Sequence, residues 1–383
     1  MRKDERVLAL FEGKSVDYLP SQITFASKSR DARIAQELNM AEEDLPTYLE
    51  NHIRFAYAKD DYPLFYKNDV ALMDQLEKEG FCKVDSANGI VYDAWGLGHL
   101  RGEQGAYICC GPMREDAKKI EMARPYMPER LKCVLGLPIE EAVKVYTAPD
   151  PLRAGNLDPF EDAIKNKRDD LLLIPSGYSG IFERAYETIG FQDFMIDLYE
   201  YPDELMELME KITDYKVAMI KEKARMGYKV FHHGDDMGTQ GGGLFSESMF
   251  KEMILPHIKR LYAEAKKYGM FVVQHSCGNI LQYLPSLIDA GLDGLEPLQP
   301  CMDLKTVKRE FGKDLVLWGG IDTQNLPFMS PAEVEKMVRE TVSILGKGGR
   351  YIIAPSQEVM DDVPLENVVA LVKTIQDMRA DVM

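Results

Sequence analysis

Positive charge, cysteine and long apolar runs are all scarce in this sequence of 383 residues. The 46 Lys and Arg stand against 63 Asp and Glu, a formal net charge of -17. That balance excludes a nucleic-acid binder, whose affinity needs clustered cations that displace counterions from phosphates. No apolar run approaches the roughly 18 residues that a membrane helix requires. The start, Met1-Arg-Lys-Asp-Glu-Arg6, leads into a short amphipathic pattern with no signal-peptide core, so a cytoplasmic protein is expected. Six cysteines over this length are too few for a disulfide framework, and each reads as a thiol or a metal ligand. Neither a Gly-x-Gly-x-x-Gly turn nor a Walker loop follows any apolar run, which removes the main reason to expect an open nucleotide-binding sheet.

What is present is the balance of a globular chain, 45% hydrophobic and 28% charged residues, long enough to bury a large core. From about residue 171 onward, short apolar runs end in small or polar residues and lead into amphipathic stretches, the pattern of βα units. The runs are 171–178, 229–236, 271–278, 292–300, 315–322 and 351–358. Between them, 203–226 and 246–269 repeat Leu, Met and Ile at helical steps, and Ser330-Pro-Ala-Glu333 carries helix-start chemistry. This rhythm predicts an α/β fold, a (β/α)8 TIM barrel, in a single unit over 1–383 with about 1–170 including an N-terminal elaboration. In that first part Ile23-Thr-Phe25 is the expected first strand, Val84 to Tyr92 a hairpin around Asn88-Gly89, and Pro138 the start of a helix.

A barrel carries its chemistry at the C-terminal ends of its strands. The tails of the six runs hold His232, His233, Asp235, Asp236, Gln274, His275, Cys277, Glu296, Cys301, Asp322, Gln357 and Glu358. In His275-Ser-Cys277, alternate residues of an extended segment project the same way and can share one ion. Glu296 ends the next run. Imidazole, thiolate and carboxylate together suit zinc, with a fourth position left for water or substrate. The competing reading is that His275 and Cys277 merely pack at a loop. Cys301, five residues past Glu296, can reach the same ion from its loop. Of the adjacent pair Asp235 and Asp236, one should face the pocket as acid/base or substrate anchor while the other bonds backbone amides. His232 and His233 alternate faces, and a satisfied core histidine is the simplest reading for either. Cys82, Cys109, Cys110 and Cys133 have no ligand-like spacing to a histidine.

The segments Glu5 to Gly13 with Asp17-Tyr-Leu-Pro20, Ser246 to Arg260, Val273-Gln-His-Ser-Cys-Gly-Asn279, and Ala354-Pro-Ser-Gln357 followed by Val363-Pro-Leu-Glu-Asn367 resemble the uroporphyrinogen decarboxylase superfamily. Within it they are similar to the branch of zinc-dependent corrinoid methyltransferases, over nearly the whole chain. The resemblance implies a zinc ion on His275 and Cys277, a corrinoid (cobalamin) carried by a partner protein, and a homodimer. Those methyltransferases supply a second cysteine at the final strand end, where this chain reads Pro355-Ser-Gln-Glu358, so Glu296, Cys301, Gln357 or water completes the site. Asp235, Asp236 and Tyr178 are the candidate catalytic residues, and His233, Gln274 and Asn279 the candidate cofactor contacts. The implied activity moves a methyl group between the corrinoid and a small thiol, phenol or alcohol. The decarboxylases' Arg-rich motif is missing from Gln22 to Arg33, although Arg30 and Arg33 remain. A tetrapyrrole decarboxylase and a non-catalytic tetrapyrrole-binding or corrinoid-protein-docking module are the alternatives.

Overall fold

The apolar runs form the strands Leu172–Ser176, Val230–Gly234, Phe271–His275, Gly294–Leu298, Val316–Ile321 and Tyr351–Pro355 in a computed structural model of the chain. It describes residues 1–61, 70–102, 105–113, 117–167, 169–177 and 179–380. Five of these strands pair in the order Tyr351–Pro355, Val316–Ile321, Gly294–Leu298, Phe271–His275, Val230–Gly234, all in parallel. Ile53–Tyr57, a strand the run pattern did not predict, pairs in parallel with Leu172–Ser176, which in turn lies along Val230–Gly234. The segment around Ile23 fills the remaining gap. Ser21 and Phe25 bridge Ile353 and Val359 in parallel. The Gln22 N–H bonds the Ile353 carbonyl at 2.9 Å, and the His52 N–H bonds the Ser21 carbonyl at 3.1 Å. The expected first strand is therefore an extended segment held by isolated bridges rather than a full ladder. The fold is an α/β, (β/α)8 barrel.

The strands read as near-continuous apolar runs because one face lines the lumen and the other packs on helices. At the N-terminal ends, helix Lys3–Phe11 closes the lumen. Its Val7, Leu10 and Phe11 pack with Val230, Val273, Val316 and Ile352, and Phe11 stacks on Phe271 with ring centroids 5.2 Å apart. Only the other end, with the polar strand tails, is left for a site.

The N-terminal elaboration contributes an antiparallel meander of Lys83–Asp85, Ile90–Tyr92, Gly98–Gly102 and Gly105–Cys110. The first hairpin turns at Gly89, whose φ of 67° is the left-handed backbone that an Asn-Gly turn supplies. Arg184, wholly buried in helix Ile181–Ile189, joins this sheet to the barrel through Asp61 at 3.0 Å, Glu187 at 3.2 Å and Asp93 at 3.7 Å. The helical stretch expected over 246–269 is interrupted: Glu247–Met249 and Leu255–Lys267 flank a π-helical turn, Phe250–Ile254. Pro256 has no N–H to offer the Glu252 carbonyl, and the wider turn accommodates it. Among the described residues no helix is long and apolar enough to cross a membrane.

Candidate metal centre

Strand alternation decides which tail residues face the lumen. His232 does: its ring lies 5.3 Å from Phe55 and 6.4 Å from Trp318, both lumen residues. His275 and Glu296 are register partners on neighbouring strands and point the same way. Two overlapping groups of potential ligands result, His232, His275 and Glu296 on one side and Asp236, His275 and Cys277 on the other, each with its donor atoms within 4.8 Å of one another.

The two groups differ in spacing. Zinc bonds of 2.0–2.3 Å in a tetrahedron place adjacent ligand atoms roughly 3.3–3.8 Å apart. The His275 Nε2 atom lies 3.5 Å from Asp236 Oδ1, within that edge, and 3.9 Å from Cys277 Sγ, just past its upper end. Glu296 Oε2 instead sits 2.5 Å from His275 Nδ1 and 3.2 Å from His232 Nε2, the lengths of hydrogen bonds. The chemistry of Asp236, His275 and Cys277 thus matches zinc, and Glu296 grips the far nitrogen of the same imidazole. His232 passes the contact on to Ser176, whose Oγ lies 2.8 Å from its Nδ1.

Electrostatics follow the geometry. Burial disfavours a charged His275, yet Glu296, Cys277 and Asp236 outweigh it and raise its pKa well above the ordinary imidazole value. Burial likewise opposes ionisation of Glu296, and His275 with His232 nevertheless holds its carboxyl well below the usual carboxylate range. Burial pushes the Cys277 thiol up and the His232 imidazole down.

The loop that carries Cys277 is shaped by close backbone approach. Gly278 has φ 81°, and a Cβ there would stand 2.3 Å from the Gly238 backbone. The Asn279 N–H bonds the Thr239 carbonyl at 2.8 Å, tying the loops after two adjacent strands together. Asp236 accepts the Cys277 N–H at 2.8 Å. Gln357, from the loop after the last strand, donates its amide to Cys277 Sγ at 3.2 Å, while its Oε1 accepts the Glu358 N–H at 3.0 Å.

Several sequence candidates lie elsewhere. Asp235 turns away from Asp236 and accepts the N–H groups of Ile181, Phe182 and Glu183 at 2.9–3.1 Å, anchoring a helix N-terminus. It is the member of the acidic pair given over wholly to backbone amides, while Asp236 accepts the Cys277 N–H and also lies 3.5 Å from His275 Nε2. His233 points to the helix layer, buried 3.7 Å from Asp235, so the face expected for cofactor contact belongs to His232 instead. Gln274 is also buried on the outer face, accepting from the Tyr262 hydroxyl at 2.7 Å. Asn279 folds its side-chain oxygen back onto the Leu281 N–H at 3.2 Å. Cys301 is half-buried and joins neither ligand group. Tyr178 lies outside the described residues. The sequence reading set His232 aside as a core histidine and overlooked Glu183, a half-buried carboxyl whose pKa is pushed well up by desolvation, Asp236 and Asp235. The alternation of His232-His233 was the available signal for the first; nothing in the sequence marked the second.

An eight-stranded barrel that gathers an imidazole, a thiol and carboxylates at its strand ends defines the class of protein. The chain belongs to the uroporphyrinogen decarboxylase family, URO-D, which matches residues 126–378. It is 24% identical over 186 residues to a uroporphyrinogen decarboxylase from Coxiella burnetii, a span of 47% of this chain and 49% of that protein. It is 24% identical over 227 residues to the methylcobamide:CoM methyltransferase MtaA from Methanosarcina barkeri, covering 58% of this chain and 64% of that one. The chain thus spans about half the length of the decarboxylase and under two thirds of the methyltransferase. The solved structure of a methyltransferase from Methanosarcina mazei shares the fold with a TM-score of 0.61 at 16% identity, over 98% of this chain and 99% of that one. Enzymes of two kinds, decarboxylases and methyltransferases, are therefore its relatives.

Proposed function

We propose that the chain is a cytoplasmic, zinc-dependent methyltransferase, acting as one unit, that moves a methyl group between a corrinoid on a partner protein and a small thiol, phenol or alcohol. The observation that carries this reading is the spacing of Asp236, His275 Nε2 and Cys277 at the open end of the lumen. Zinc bound there would supply Lewis acidity, lowering the pKa of the acceptor's sulfur or oxygen at neutral pH. The protein's own groups do the rest. Glu296 fixes the Nδ1–H tautomer of His275 and so aims Nε2 at the ion, a carboxylate–histidine arrangement common around zinc. Glu296 therefore serves as a support, and Asp236 takes the ligand place first expected for it. Gln357 donates to Cys277 and keeps the thiolate oriented. The methyl group moves as a cation equivalent. The acceptor atom supplies the electron pair of the new bond, the pair of the broken bond stays on the carrier, and the acceptor's proton passes to solvent.

The decarboxylase reading is less well supported, because Arg30 and Arg33 are engaged elsewhere: Arg30 donates to the Val363 carbonyl and Arg33 to that of Asp361 at 2.5 Å. The test is metal analysis of the purified protein together with demethylation of methylcobalamin over a panel of thiols, phenols and alcohols. About one zinc per chain and methylcobalamin consumption, both lost in His275→Ala and Cys277→Ser, are expected. Unchanged turnover in both variants, or porphyrinogen decarboxylation in their place, overturns it.

A further inference from the structure

A cavity of about 120 Å³ opens in the N-terminal elaboration and shares no residue with either ligand group of the metal centre. Phe81, Tyr92 and Tyr126 supply its aromatic lining. The two tyrosine rings stack with centroids 5.3 Å apart and planes at 4°, and the Arg153 guanidinium lies over the Phe81 ring at 4.3 Å. Such a volume holds a molecule of about five or six non-hydrogen atoms.

The charged lining is Lys83, Arg130 and Arg153 against Asp60, Asp93 and Asp150, and the two signs are differently served. Asp93 accepts the Trp95 and Leu97 N–H groups at 2.8 and 2.9 Å and lies 3.1 Å from His99 Nε2. Asp150 accepts the Leu152 N–H at 3.0 Å. Asp60 is buried and accepts the Tyr215 hydroxyl at 2.7 Å; burial, helped by Asp61, pushes its carboxyl up to about 7. The cations lack such compensation. Among the described residues none of Lys83, Arg130 and Arg153 forms an ion pair. Arg130 donates to the Thr147 and Ala94 carbonyls at 3.0 and 2.5 Å, and Arg153 to those of Gly80 and Glu79 at 2.9 and 3.0 Å. Carbonyls orient a guanidinium without neutralising it. Burial lowers the Arg130 pKa, while Asp93 and Asp60 pull it up only from beyond ion-pair distance. A cation drawn out of water in this way is costly until an anion pairs it.

We propose that this cavity binds a small organic monocarboxylate, its carboxylate on the Arg130 guanidinium and its apolar body against Phe81 and the Tyr92–Tyr126 pair. The rings favour a ligand with such a body over a bare oxyanion. The site is independent of the metal and of methyl transfer.

Titration of the full chain with butyrate, followed by broadening of its methyl proton signal, tests the assignment, with butan-1-ol, butylamine and inorganic phosphate as competitors. Saturable butyrate binding is expected, displaced by none of the three at equal concentration. Arg130→Gln should weaken it about tenfold, and Arg130→Lys, which keeps the charge but not the fork, should weaken it less. Lys83 is exposed, so Lys83→Glu reverses a rim charge without disturbing packing and should weaken binding about threefold. Cys277→Ser should bind butyrate as the wild type does, which separates the cavity from a carboxylate held by zinc. Absence of saturable binding, unchanged affinity in Arg130→Gln or in Lys83→Glu, or loss of binding in Cys277→Ser overturns the proposal. Displacement by butan-1-ol, butylamine or phosphate also overturns it, by giving the cavity to another class of ligand.

Discussion

Glu296 and His275, register partners on adjacent parallel strands, meet through a contact of 2.5 Å between Oε2 and Nδ1. That contact leaves Nε2 of the same ring, on its opposite edge, facing Asp236 and Cys277. The imidazole is thereby committed at one nitrogen and available at the other, which is the arrangement that orients a zinc-binding histidine.

The direct consequence is an order of effects on metal affinity. Glu296→Gln removes the charge that aims the ring but no ligand, and should weaken zinc binding about 10–100-fold. Asp236→Ala and Cys277→Ser remove ligand atoms themselves and should cost more than Glu296→Gln. Competition against a chromophoric chelator measures all three. Glu296→Gln as the most damaging of them would return Glu296 to the ligand set.

Gln357 offers a second handle. Its Oε1 is held by the Glu358 N–H, so the amide presents Nε2 to the Cys277 sulfur rather than an oxygen to a metal. Gln357→Ala should leave zinc stoichiometry near one while loosening affinity by less than Asp236→Ala does. Gln357→Cys brings a second thiolate to the same place and should tighten binding of soft cations, cadmium before zinc. Chelator competition with each metal in turn gives the ratio; a ratio equal to that of the wild type would place Gln357 out of reach of the ion.

Much of this was legible in the sequence, and the gaps have physical causes. Six strand runs stood out because strands buried on both faces are continuously apolar. Ile53-Arg-Phe-Ala-Tyr57 escaped because its exposed Arg54 breaks the run. His275 and Cys277 were readable from their spacing alone, since period-two alternation is a local property. His232 was not separable from His233, because which of two alternating faces is the lumen depends on the register of the whole sheet. The roles of Asp235 and Asp236 divided as adjacent residues must, but only the helix that comes to rest on Asp235 shows which is which.

Titration of the metal-free protein should report the same pair. His275 has its pKa raised in the fold, so its stabilising contribution is complete below the unfolded imidazole value of about 6.5 and is lost as pH rises through the folded value. Glu296 is depressed, so its contribution is complete above the unfolded carboxyl value of about 4.3 and is lost as pH falls through the folded value. Between those limits both contributions are present. The urea midpoint of the metal-free chain should therefore decline above pH 6.5, with the decline flattened in Glu296→Gln. Zinc binding must displace protons from His275 and Cys277, so affinity should climb with pH. A wild-type midpoint that rises between pH 7 and 9 without metal would contradict the pairing.

Arg184 tests the join between barrel and elaboration. Its guanidinium is buried among Asp61, Glu187 and Asp93, with Trp95 beneath it at 4.6 Å. Removing the cation strands carboxylates that water cannot reach, a loss of about 3–5 kcal/mol for a broken buried pair. Arg184→Met keeps much of the side-chain volume and should lower the unfolding free energy by about that amount. Lys216 still bonds Asp61 at 3.4 Å, so the cluster keeps one cation and the chain should still fold. Since Asp235 anchors the same helix from the strand side, the metal site should keep its zinc in Arg184→Met. Urea denaturation of the wild type and variant, with zinc content measured on each, separates the two roles. A stability loss under 1 kcal/mol would mean that the ion cluster does not hold the elaboration to the barrel.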